Sequence, residues 1–507
     1  MTQKALRDNW YLLSCVVILA VALALRTWGL DVKPAHFDEG INGWFVEQMK
    51  EAGHYNYNPE NFHGPFYFYL LFVAQSLFSH SLFWLRMPAV LGSLASILLI
   101  MRYYPLIGKA PALIAAVMMS ISPAQIFFAR YSIHESWFMA FTIMSLLGII
   151  GLWQTGRAHY LGLLIAGLAG QIATKETSII HIGCMLLAIP VCWGLSTKIL
   201  NIPMRVEKQQ WSRAQLISYS ATAGLLLLLL YTGLFASLSG LVEMFHGYTK
   251  WIATGTKELS GHEKPWTYWI YLGGTYEWAS LLGVIASAYY AFWGKASIRY
   301  LAIYAVGVLA AYTIVAYKTP WCIISIQWPF FILLSVVMVK FYSWNKLSKY
   351  AIIITLIIVT IHSSIVAYRI NWVGPTNPKE PYVYVQTSDE LNEALLPVIS
   401  AINSQPLLRN MKGHVNLDSY FPIPWLLYNM PNVGYGIRIL DNPAEFKFII
   451  CKEKDKSAYE LFLPGYSSKS FKLRDAQEKC VIFVHPDLRT SADSLETTPQ
   501  PALDRGP

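Results

Sequence analysis

Apolar runs of membrane-spanning length recur along this chain from residue 10 to residue 369. No other feature restricts the fold as strongly, because a lipid-exposed backbone must satisfy its own hydrogen bonds, and helices do so within one segment. Eleven spans are expected, at about 10–29, 84–103, 111–129, 137–153, 159–173, 177–195, 215–237, 274–293, 300–317, 320–340 and 350–369. The apolar stretch "FYFYLLFVAQSLFS" at 66–79 is shorter and suits an interfacial or re-entrant helix better than a span. Composition agrees: 55% of the 507 residues are hydrophobic and 14% are charged, well under the roughly 25% charged of soluble domains.

The net charge of +9 is no evidence for nucleic acid as a partner, and none is expected, because much of the Lys and Arg lies in short loops between spans, where it sets topology. With the N-terminus inside, the inside segments carry Lys4 and Arg7; Arg102 and Lys109; Arg157; Lys198, Arg205, Lys208 and Arg213; Lys295 and Arg299; and Lys340, Lys346 and Lys349. The first run, with "ALA" at 22–24, has the look of a signal peptide. Its length and the consistent count of later spans favour an uncleaved first span. In this topology "HFDEG", "NFHGPF", "ARYSIHES", "TKET" and "YKTPW" share one outer face. The expected setting is a multi-pass protein of the plasma (inner) membrane, with these motifs extracytoplasmic.

Past residue 370 the pattern changes. "VGPTNPKEP" reads as a linker. Alternating signals follow: strand "YVYVQ", a helix at 388–403, strand "GHVNLD", a short helix near "PWLLYNM", and strands "YGIRIL", "FKFII" and "CVIFV". The expected organisation is a transmembrane domain at 1–370 with an outer loop at 30–83, a small extracytoplasmic α/β domain at 371–487, and a disordered tail at 488–507. None of the six cysteines forms a CxxC pair, which removes zinc-ribbon and thioredoxin-type chemistry. Cys451 and Cys480 lie outside the spans, and a disulfide between them is open if that region faces an oxidising compartment.

Asp38 and Glu39 are candidate catalytic acids, with Asp38 as general base and Glu39 orienting an acceptor or holding a metal. The plainer reading is that Asp38 caps the helix that follows. His63 and His134, with Glu135 beside the latter, are candidate ligands of a divalent metal ion, the one cofactor considered; the plainer reading is helix capping and headgroup contact. Arg130, Lys175 and Lys318 sit at outer span ends and suit a lipid phosphate, while snorkelling to the interface explains them equally well.

"HFDEG" after span one, "HGPFYFYLL" beyond it, "RMPAVLGSLASILLI" as span two, "SPAQIFFARYSIHES" ending span three and "TKET" before span six occur in a familiar order. In this the chain resembles the lipid-phosphosugar-dependent glycosyltransferases of the GT-C fold, which include protein O-mannosyltransferases and the lipid A aminoarabinose transferases. Within them it is most similar to the bacterial and archaeal flippase-activity-associated group, through "YKTPW" and "FPIPWLLYNMPNVGYG". The likeness covers about residues 10–369 and extends more weakly into the C-terminal domain. It implies a polytopic α-helical membrane protein with a small C-terminal α/β domain. It also implies inverting transfer of a sugar from a polyprenyl-phosphate donor to a hydroxyl of a protein, lipid or glycan acceptor. Asp38 matches the loop-one acid, Glu135 the second acidic position, and Arg130 and Lys175 basic positions. Two positions depart: Gly64 and Pro65 stand where the pattern has two prolines, and Glu135 where many members carry Asp. A lipid-linked sugar transporter, or a non-catalytic subunit of a glycan-export complex, are the alternatives. Against transport, the span centres carry few ionisable groups, His181 being the clearest.

Overall fold

The computed structural model describes residues 3–61, 63–256, 261–438, 440–474 and 479–488. The expected disordered tail lies, beyond Leu488, outside the described residues. The chain divides into two units. One comprises Met1–Leu30, Gln48–Pro375 and Glu380–Tyr382; the other comprises Asp31–Glu47, Thr376–Lys379 and Val383–Pro507. The second unit therefore includes the "HFDEG" stretch of the first loop, a boundary that span counting had placed with the transmembrane domain.

The helical elements begin with α1 (Gln3–Thr27), α2 (Phe37–Ala52), α3 (Phe66–Leu77), α4 (Leu82–Arg102), α5 (Tyr104–Ile107), α6 (Lys109–Ile121) and α7 (Pro123–Ala129). They continue with α8 (Glu135–Thr155), α9 (Ala158–Thr174), α10 (Ser178–Gly194), α11 (Arg213–Tyr231), α12 (Gly240–Thr256), α13 (Tyr268–Tyr276) and α14 (Trp278–Trp293). Then come α15 (Ala296–Ile314), α16 (Ile323–Tyr342) and α17 (Lys346–Tyr368). Each expected span has an apolar helix in its place. Among the described residues eight are long and apolar enough to cross a membrane, or nine if the bent pair α6–α7 is one span. α9 and α14, with 17 and 16 residues, are shorter. Outward-facing Leu186, Leu187, Ile285, Ile314 and Leu347 stay exposed, an arrangement that lipid favours and water opposes.

The run expected as one span at 111–129 is broken, with a bend of 58° between α6 and α7. Pro123 has no N–H to continue the ladder, and Ser122 caps α7 by accepting from Gln125 N–H. The buried Glu277 carboxylate accepts from Ala124 N–H at 2.7 Å and Ser122 Oγ at 2.9 Å. Arg26, fully enclosed, donates to the Met119 and Ser120 carbonyls at the end of α6. These bonds hold the break, and it fixes where the chain leaves α7 for Arg130.

The second unit is built on a mixed sheet of β1 (Gly413–Asn416), β2 (Val433–Tyr435), β3 (Phe448–Lys452), β4 (Ser467–Phe471) and β5 (Cys480–Val484), in the order β2-β1-β3-β5-β4. β2, β1 and β3 are parallel; β3, β5 and β4 are antiparallel. One face packs Val415, Phe448, Ile450, Ile482 and Val484 against Leu391, Leu395 and Val398 of α18 (Glu390–Ser404) and against α19 (Ile423–Leu426). The other packs Ile449, Cys451, Val481 and Phe483 against Tyr459 of α20 (Lys456–Glu460) and Leu463. This alternation decides the cysteine question. Cys451 pairs across from Val481 and Cys480 from Lys452, so the two thiols point to opposite faces of the sheet. Both are free and buried, and the disulfide left open above does not form.

Candidate active site

In the second unit the "HFDEG" residues make the first turn of α2. Glu39 reaches back to accept the His36 backbone N–H at 2.8 Å, satisfying a donor at the helix start. The His36 ring caps the same turn. Its Nδ1 accepts the Asp38 N–H at 3.1 Å, so its Nε2 carries the proton and donates to the Tyr384 carbonyl at 2.7 Å. Burial pushes this imidazole below its ordinary pKa, against the pull of Asp38. The two acids therefore have different surroundings. Glu39 is fully enclosed and accepts the His36 N–H. The Asp38 side chain is 35% exposed, and its contact with His36 Nδ1 is 3.9 Å.

Two glycines explain how closely α2 approaches the sheet domain. A Cβ on Gly40 would lie 2.4 Å from Pro422 Cα, and one on Gly43 would lie 2.2 Å from Trp425 Cδ1. Phe37 and Trp44 make edge contacts with Phe421 on either side of this glycine face. The "FPIPW" stretch thus serves as the seat of the helix that carries Asp38.

In the first unit four of the expected residues converge. Lys175, following α9, and Glu135, opening α8, form an ion pair in which both side chains are nearly enclosed. Burial opposes the Lys175 charge, but Glu135, with smaller help from Cys322 and Tyr312, outweighs it and holds the pKa above its ordinary value. His63 Nδ1 lies 3.4 Å from Glu176 Oε2, and its ring tilts over His134 at 4.5 Å. Burial and the Lys175 ammonium push both imidazoles down, while burial pushes the Glu176 carboxyl well up. Gly64 accounts for the first departure from the family pattern. Its N–H donates to the Thr174 carbonyl at 3.2 Å, and a Cβ there would lie 2.3 Å from the Ala173 oxygen. A proline would lose that bond and collide with the end of α9.

Arg130, expected as a phosphate ligand, lies against the end of α1. Its guanidinium donates to the carbonyls of Arg26, Trp28 and Gly29 and lies 5.2 Å from the Trp372 ring centroid. It closes the C-terminal end of α1, where carbonyls lack intrahelical partners. Lys318 is 3% exposed and donates to the Lys264 and Val315 carbonyls; burial lowers its pKa. Of the expected metal ligands, the His63 and His134 rings lie tilted at 46° with centroids 4.5 Å apart, and among the described residues no group of three or more His, Cys, Asp or Glu could hold a metal ion.

Taken together, the fold is that of the GT-C membrane proteins. A multi-pass helical bundle carries acidic and basic groups at the ends of its helices, and a small sheet domain follows it. The solved structures it is similar to make this concrete. ArnT from Cupriavidus metallidurans, bound to undecaprenyl phosphate, matches with a TM-score of 0.60 and 14% identity over 93% of this chain and 98% of its own. The Archaeoglobus fulgidus oligosaccharyltransferase tethered with an acceptor peptide matches with a TM-score of 0.56 and 12% identity over 91% and 71%. AglB from the same organism, in complex with an inhibitory peptide and a dolichol-phosphate, gives a TM-score of 0.55 and 11% identity over 92% and 73%. Residues 62–203 match the family model described as dolichyl-phosphate-mannose-protein mannosyltransferase. No curated protein sequence matches the chain.

Proposed function

We propose that this chain transfers a sugar from a polyprenyl-phosphate donor to an acceptor hydroxyl on the extracytoplasmic face of the plasma membrane, with inversion. The observation that carries the reading is the difference between the paired acids. Glu39 is enclosed in a helix cap, while Asp38 is exposed on a turn held by His36. A general base must reach the proton it removes, and Asp38 is accessible.

In this reading Asp38 takes the proton of the acceptor hydroxyl as the acceptor oxygen bonds to the anomeric carbon. The bond from that carbon to the lipid phosphate oxygen breaks, and the lipid phosphate leaves as an anion. Lys175 meets that anion as a cation, with Glu135 keeping the ammonium ionised and aimed. Lys318, which donates to two carbonyls, contributes its remaining donor. An apolar groove of about 310 Å³ supports a lipid-linked donor. It is lined by Phe66, Phe141, Ile165, Ala169, Ala173 and Leu227 among others, and Ala173 lies two residues before Lys175. The acceptor is a protein, lipid or glycan hydroxyl.

The test uses purified full-length protein, labelled polyprenyl-phosphate sugar and a broad acceptor panel, with wild type compared to Asp38→Asn. Wild type consumes the donor and Asp38→Asn does not. If wild type neither transfers nor releases sugar, the reading fails.

A further inference from the structure

A buried arginine from the sheet domain reaches the turn that carries Asp38. Arg474 is 4% exposed. Its guanidinium donates to Ser419 Oγ at 3.1 Å and to the Phe421 carbonyl at 2.6 Å, and its centre lies 4.6 Å from the Phe37 ring centroid. Phe37 immediately precedes Asp38, and Phe421 precedes the proline against which Gly40 rests. One side chain thus grips both the helix bearing the acid and the loop that seats it.

The geometry is costly, and the cost is informative. Among the described residues no carboxylate lies within ion-pair distance of Arg474, and its Nε is buried without a hydrogen-bond partner. Burial pushes its pKa down to about 10, with Cys480, Asp38 and Asp418 pulling the other way. Asp418 itself is paired with Lys452 at 3.1 Å. A structural filler at this place would be better apolar, since an unpaired buried charge destabilises. An apolar residue, however, could not bond two acceptors in one plane while offering a cationic face to a ring; that combination is particular to arginine.

We propose that Arg474 is a positioning residue for Asp38, clamping Phe37 and the Ser419–Phe421 loop so that the acid is held in one orientation by the C-terminal domain. This rests on the reading of Asp38 as the base. The sheet domain then forms part of the catalytic apparatus.

Two measurements on the full chain test it. The first does not depend on catalysis. A thermal double-mutant cycle of Arg474→Gln with Phe37→Leu shows coupling if the clamp exists, and additive shifts overturn the proposal. The second is kinetic. Arg474→Gln lowers kcat about 10- to 100-fold, the scale expected for a misplaced catalytic group, and leaves KM for the lipid donor unchanged. Arg474→Lys, which keeps charge without the planar fork, restores less than half of the lost kcat. An unchanged kcat, or a loss expressed wholly in KM, overturns the proposal, as does full rescue by lysine. Should Arg474→Gln fail to fold, the lysine variant alone carries the kinetic test. If Asp38→Asn proves as active as wild type, the catalytic reading falls, and the cycle still reports on the clamp.

Discussion

The ring of His36 accepts the backbone N–H of Asp38 at 3.1 Å, and its far nitrogen donates to the carbonyl of Tyr384, 348 residues further along the chain. His36 therefore ties the acid-bearing turn to the segment leading into the sheet domain. His36→Ala should lower kcat by about 10- to 100-fold with donor affinity unchanged. Steady-state kinetics beside a donor-binding measurement check this, and wild-type turnover in the variant would refute it.

The Lys175–Glu135 pair gives a second expectation. Lys175→Met leaves a buried carboxylate and Glu135→Gln a buried ammonium, each costing about 3–5 kcal/mol. The double substitution should be closer to wild type than either single one. Polyprenyl-phosphate binding should disappear in Lys175→Met and in the double variant, and survive at reduced affinity in Glu135→Gln. Thermal inactivation in detergent and lipid-phosphate binding are the readouts; additive destabilisation would contradict the pairing.

Acid should destabilise the protein below about pH 6.5. Burial depresses the His36, His63 and His134 imidazoles in the folded state, so just below that pH the unfolded chain binds more protons. Stability is full above the unfolded value and declines as pH falls toward the folded ones. Glu176, raised by burial, acts in the opposite sense: its contribution is full below its unfolded pKa and is lost as pH rises toward the folded value. Glu277, raised by burial to about 8, acts in the same sense as Glu176, so the slope is read one group at a time: His36 alone contributes a loss of at most about 1.4 kcal/mol per pH unit. Between pH 7 and 5 the thermal midpoint of His36→Gln should therefore lose less on acidification than that of wild type. Equal pH dependence in the two proteins would refute the assignment.

Gly64→Pro would restore the usual family pattern and should nonetheless be destabilising, because it removes the bond to Thr174 and places atoms against Ala173. A loss of more than about 3 kcal/mol is expected, read as reduced folded yield and a lower thermal midpoint. A variant of wild-type stability would show that the segment relaxes.

The helical bundle was legible because apolar runs of this length have few alternatives, and each expected span has a helix in its place. The break at Ser122 was signalled only by Pro123, inside a run whose hydrophobicity does not change. In the sheet domain, β3 and β5 are apolar and readable. β4, "SSKSF", is mostly exposed and polar, and only its pairing with β5 makes it a strand. The strand expected at "YGIRIL" lies earlier, at Val433–Tyr435, because Gly436 takes a φ of 105° and ends it. "YVYVQ" alternates like a strand but is irregular, with Val385 at a φ of 53°. His63, His134, Glu135 and Lys175 were each marked in the sequence as polar residues beside span ends, and they lie together in the first unit. The different fates of Asp38 and Glu39, and the parts played by Arg130, Glu277 and Arg474, depend on partners distant in sequence. No local pattern announces them.

The seating of Gly40 and Gly43 on Pro422 and Trp425 also governs the order in which this molecule can mature. The acid leaves the ribosome early, and its seat follows some 380 residues later. At about 5–20 residues per second, tens of seconds separate the two. Through that interval the nascent chain has its first span and its carboxylates but no platform to hold them. A chain cut short would carry Asp38 without the fixed turn that presents it.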